Sequence, residues 1–130
     1  MPFSTTTQTA LALVPIWLVL WVMVVVGRTQ FETSIGDAGE PALLLKIRRH
    51  GNFIEWVPFV LILMILAETR GIGVTQIKVA GILLVTGRLA HPFGLKEINA
   101  NHTLRYVGNG TNVIATMILT VSLARLTLGI

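Results

Sequence analysis

No cysteine occurs in the 130 residues. Disulfide bridges, thiolate metal sites and a protein thiol nucleophile are therefore excluded, and any sulfur chemistry must be carried by a ligand. Charge is scarce as well: 12% of residues are charged against 53% apolar, and the mean hydropathy is +0.76. Soluble domains carry about 25% charged residues, so this balance excludes an ordinary one. No polar stretch is long enough for a separate domain, which leaves a polytopic membrane protein. The net charge of +4 and the isoelectric point near 10.4 would suit a nucleic acid. The basic residues, however, lie in short segments between apolar runs rather than on one surface, so they read as charges that orient membrane spans, and no nucleic-acid partner is expected. His50 is isolated and no carboxylates are spaced as ligands, so no metal site is expected. Residues 1–8 carry no lysine or arginine, so the basic start of a secretory signal is missing and the first span is expected to be retained.

Apolar runs place four helical spans at about residues 9–27, 41–68, 74–91 and 104–128. At about 1.5 Å per residue they approach the roughly 30 Å of a bilayer's hydrocarbon core. The expected fold class is an all-α integral membrane four-helix bundle. Gly36, Asp37, Gly39, Glu40 and Pro41 break the chain between the first two spans, and the second helix is expected to begin near Glu40 or Pro41, because proline suits a first helical position. Pro15 and Pro58 fall inside helices; Pro58 removes a bond to the carbonyl of Ile54, and a kink is expected there. Trp17 and Trp21, one turn apart, read as packing or lipid-facing residues. Residues 68–73 form a tight turn, and 94–103 a second polar loop. Arg28, Lys46, Arg48, Arg49, Arg88, Lys96 and Arg105 fall on one side, against Arg70, Lys78 and Arg125 on the other. The richer side is expected to be cytoplasmic, with both termini opposite.

The polar residues concentrate where the second span begins. Arg48, Asn52 and Glu55 recur at spacings of four and three, so they share one face of a helix. A cation, an amide and a carboxylate at the mouth of a span make a candidate polar ligand site. Arg88, His91 and Arg105 lie on the same side of the membrane by topology. Structural readings stand beside the functional one: Arg48 and Arg49 as orientation charges, Glu55 in an ion pair with Arg48 or Arg88, and Asn52 joining helices.

These residues resemble the MAPEG family, the membrane-associated proteins in eicosanoid and glutathione metabolism, which includes microsomal glutathione transferases. R-x-x-x-N-x-x-E-x-x-P is present as Arg48, Asn52, Glu55 and Pro58; the end of the third span reads GRLAHPFGL with Arg88 and His91; and R-x-x-G is present as Arg105 and Gly108. The resemblance covers nearly the whole chain.

The resemblance implies a homotrimer with glutathione bound between neighbouring subunits near the cytoplasmic face. Arg48 would pair with a glutathione carboxylate, Asn52 would hydrogen-bond the tripeptide backbone, and Glu55 would hold the γ-glutamyl ammonium. Trp56, Arg88 and His91 would complete the glutathione site; Trp56 and His91 stand where conjugating members often carry tyrosine. Arg105, expected from a neighbouring subunit, would stabilise the thiolate as the catalytic residue, with His102 the competing position. A thiol ionises near pH 8.5, and bringing that down by two pH units needs roughly 2.7 kcal/mol of thiolate stabilisation, within the scope of one arginine. The implied activity is a membrane-bound glutathione transferase or peroxidase with glutathione as co-substrate. Its second substrate would be a lipophilic electrophile or hydroperoxide reaching the site from the bilayer between spans one and four. Two alternatives are a non-catalytic MAPEG-like protein that binds a lipid or thiol, and a bundle whose polar residues are purely structural.

Overall fold

The computed structural model describes residues 3–96 and 101–129, so the middle of the second polar loop lies outside the described residues. Four helices follow one another: α1 (Ser4–Gln30), α2 (Pro41–Thr69), α3 (Val74–Gly94) and α4 (Thr103–Leu128). α1, α2 and α4 are long and apolar enough to cross a membrane by length and composition. α3 falls short of that composition, because Gln76, Lys78, Arg88 and His91 interrupt its 21 residues. Arg88 and His91 are nevertheless buried inside the bundle, at 2% and 3% exposure.

Unlike those of a water-soluble bundle, the helices are apolar on both faces, with Leu13, Val60, Met64, Leu84 and Leu119 in an apolar core. Large apolar side chains such as Leu11, Val19, Phe59, Ile82 and Ile114 face outward, while much of what is buried is small or polar. A hydrocarbon surround removes the drive to hide leucine, so close packing of small residues and internal hydrogen bonds must hold the helices together. α3 follows this logic most fully. Its buried positions, Ile77, Ala80, Gly81, Leu84, Gly87, Arg88, His91 and Gly94, recur at three and four residues and form one stripe. A Cβ on Gly87 would strike Thr111, Asn112 and the carbonyl of Gly108, and one on Gly94 would fall on the backbone of Leu104 and Arg105. α3 and α4 therefore touch nearly backbone to backbone. α1 packs on α2 and α3 but does not touch α4.

The connections explain where the helices stop. Pro41 occupies the first position of α2 with Glu40 as its N-cap, as the breakers predict. Gly71, at φ +74°, ends α2 in the left-handed region, and the amide of Ile72 reaches back 2.9 Å to the carbonyl of Ala67, closing the tight turn expected at 68–73. α1 begins at Ser4, five residues before the expected span. The cause lies 63 residues away: a Glu68 carboxylate oxygen accepts from the amides of Thr5 and Thr6 at 3.0 and 3.3 Å. An anion at this helix start satisfies orphan donors and matches the dipole, so a threonine-rich segment without its own cap is held helical. α2 runs without interruption through Pro58, which is exposed.

Candidate functional site

The start of α2, the end of α3 and the start of α4 meet at one end of the bundle and enclose a cleft of about 290 Å³. Arg48 and Asn52 enter it from α2, His91 from α3, Arg105 and Asn109 from α4, and Lys96 from the segment after α3. Pro41, Leu44, Leu45 and Leu95 form its apolar wall. Arg48, Lys96 and Arg105 give the lining three cations, and no carboxylate among the described residues lines it. Arg49 and Arg88 also lie close enough to act electrostatically on His91. The field in the cleft is that of an anion site, with amides and an imidazole to fix orientation.

The helices supply this arrangement by spacing. Arg48 and Asn52 are one turn apart on α2, and Arg105 and Asn109 one turn apart on α4, so each helix presents a cation above an amide. The close approach at Gly94 sets the start of α4 against the end of α3 and so fixes where Arg105 emerges. His102, the alternative to Arg105, is used otherwise: its Nδ1 accepts from the amide of Leu104 at 3.2 Å and caps α4. Arg105 lines the cleft and His102 does not.

The remaining candidate residues are distributed differently. Arg88 is turned away from the cleft lining. Its Nη1 donates to the backbone carbonyl and side-chain Oδ1 of Asn52, and its Nη2 donates to the Gly108 carbonyl at 2.9 Å. It thereby joins α2, α3 and α4. With Oδ1 of Asn52 engaged by Arg88, the amide nitrogen is the end left for a ligand, so Arg88 acts on the cleft by positioning Asn52. Glu55 stands beside Arg48, oxygen to nitrogen 3.9 Å, with both side chains more than half exposed. Neither Glu55 nor the half-buried Trp56 lines the cleft of the single chain. Arg49 donates from Nη2 to the Leu95 carbonyl at 2.8 Å, tying α2 to the end of α3.

Arg105 was expected from a neighbouring subunit, but it joins Arg48 and Asn52 within one chain. α4 begins against the end of α3 at Gly94 and also packs on α2. α1 and α4 make no contact with each other among the described residues of one chain. Asn109 was not among the expected site residues. Its Oδ1 is buried without a hydrogen-bond partner, and its spacing of four from Arg105 is the signal that would have found it. Among the described residues, no cluster of His, Asp and Glu is suited to a metal ion.

Comparison with known proteins agrees with this architecture. The model of the MAPEG family matches residues 6–125. The chain is 37% identical over 67 residues to the inner membrane protein YecN of Escherichia coli K12, and equally to that of Escherichia coli O6:H1. The match takes in 52% of this chain and 51% of YecN, so the chain spans about half the length of the curated relatives it matches. No solved structure matches.

Proposed function

The chain belongs to the MAPEG family, and from that membership we propose that it is a membrane-bound glutathione transferase or peroxidase. The observation that carries the reading is the convergence of Arg48, Lys96 and Arg105 with Asn52 and Asn109 on one cleft that no carboxylate among the described residues lines. Glutathione brings two carboxylates, a thiol and an ammonium. Arg48 matches a carboxylate with its two-pronged donor geometry. Glu55, next to Arg48, is the acid for the ammonium. Arg105 stabilises the thiolate. With an electrophile, the thiolate attacks carbon and expels the leaving group as an anion. With a hydroperoxide, it attacks the outer oxygen and breaks the O–O bond, giving an alcohol and a glutathione sulfenic acid that a second glutathione converts to the disulfide and water.

α3 serves as the fourth span in this reading, its charges kept inside the bundle. The exposed Arg48–Glu55 pair is the place where a second copy closes the site, in a homotrimer. The lipophilic substrate enters where α1 of one copy faces α4 of another. Termini lie opposite the cytoplasm, and the cleft faces it.

A second reading rests on Trp56 and His91, which stand where tyrosine is frequent in conjugating relatives: the cleft binds a thiol without activating it. One experiment separates the two. Purified protein in detergent should take up glutathione and develop the ultraviolet absorbance of a thiolate, and Arg105→Ala should retain uptake while losing that absorbance. Uptake without the absorbance in the unaltered protein selects the second reading. Absence of uptake rejects both.

A further inference from the structure

A second pocket, about 390 Å³, lies on the other side of α3, between that helix and α1. Ile16, Val19 and Met23 of α1 face Leu89 and Phe93 of α3 across it, and Val19, Leu89 and Phe93 are more than half exposed, so it opens sideways. Its size falls within the roughly 300–1,000 Å³ of small-molecule sites. The pocket is not purely apolar, since Arg88 and Arg49 also line it.

Arg88 makes this pocket specific. It is 2% exposed, its three acceptors are all neutral oxygens, and Nε is the guanidinium nitrogen left without a partner. No carboxylate among the described residues pairs with it. A cation buried at membrane depth without a counter-ion is costly. Both Nη atoms donate to neutral oxygens of α2 and α4, no described carboxylate pairs with the guanidinium, and the pocket is a cavity that Arg88 lines.

We propose that this pocket binds a single-chain amphiphile with a carboxylate head, a fatty acid, whose head supplies the counter-ion of Arg88 while its chain lies between α1 and α3. The head must be small. Arg88 sits six residues before the end of α3, about 9 Å into the bundle at 1.5 Å per residue, beyond the reach of a bulky phosphodiester and its second chain. The site is separate from the cleft and does not depend on glutathione being the ligand there.

The absence of cysteine permits a clean reporter. Leu89→Cys carrying pyrene, in the full-length protein in phosphatidylcholine nanodiscs at alkaline pH, is titrated with oleate and with oleyl alcohol. The expected result is a saturable response to oleate, at least about tenfold tighter than to the alcohol, as loss of one charge-assisted hydrogen bond implies. Val19→Trp, which fills the pocket from an exposed position, should weaken oleate binding by a similar factor and leave glutathione uptake as it was. Equal binding of acid and alcohol overturns the proposal, as does Val19→Trp without effect. Pyrene excimer emission insensitive to oleate also overturns it, because a second copy then covers the groove. Should glutathione fail to bind while oleate does, the reading of the cleft falls and this one stands.

Discussion

An amide sealed from both water and lipid must find a partner or cost stability, and Asn112 has found none. Its side chain lies at 0% exposure beside Gly87, and neither Oδ1 nor Nδ2 has a hydrogen-bond partner among the described residues. Thr116 bonds the Asn112 backbone carbonyl instead, at 2.8 Å. Arg88 answers the same problem differently, using three acceptors on two neighbouring helices. An unsatisfied buried amide costs about 1–3 kcal/mol, whereas leucine of similar size brings only apolar contact. Asn112→Leu is therefore expected to raise stability by about 1–2 kcal/mol, read as a higher thermal midpoint in detergent with glutathione uptake preserved. A lower midpoint would mean that the amide holds a buried water and is satisfied by it.

Among the elements, α3 decides the geometry of both sites, because its two flanks face the cleft and the pocket while its glycines seat α4. Gly94→Ala places a methyl group on the backbone of Leu104 and Arg105. Backbone cannot rotate aside, so the start of α4 must shift and carry Arg105 with it. The expected cost is about 1–3 kcal/mol, together with weaker glutathione uptake. Gly110→Ala, where nothing lies within 4 Å, is the control; it should change stability by no more than about 1 kcal/mol, in the favourable direction, through helix propensity. Equal behaviour of the two variants would refute the claim that contact at Gly94 positions Arg105. The elements themselves were largely legible from apolar runs, and the start of α2 from Pro41. The role of Glu68 at the start of α1 was not, since it joins residues 63 apart. The direction of the Arg88 guanidinium was equally hidden: spacing put Arg88 beside His91, but only the position of Gly108 shows that it turns inward. Arg48, Asn52, His91 and Arg105 were legible as a group because helix count alone sends the start of α2, the end of α3 and the start of α4 to one end.

For the whole molecule, that same alternation sorts charge between the two ends of the bundle. Arg28, Lys46, Arg48, Arg49, Lys96 and Arg105 cluster where α1 ends and α2 begins, while Arg70, Lys78 and Arg125 lie toward the opposite end. Arg28 is committed to the richer end by its own bond, Nη1 to the Ser34 carbonyl at 2.7 Å. Insertion retains lysine and arginine on the cytoplasmic side, so the cleft should open there and the turn between α2 and α3 should face away. Two single-cysteine variants of the cysteine-free chain check this orientation. Ile35→Cys lies in the link between α1 and α2 at a position 88% exposed, and Gly73→Cys precedes α3, where a side chain meets only Gln76 at ordinary contact distance. In spheroplasts, a membrane-impermeant maleimide is expected to label Gly73→Cys at once and Ile35→Cys only after the membrane is opened. The reverse order would place the cleft on the outer side, away from the cell's reduced glutathione, and would remove the physiological basis for a glutathione-dependent reaction even if the purified protein bound the tripeptide.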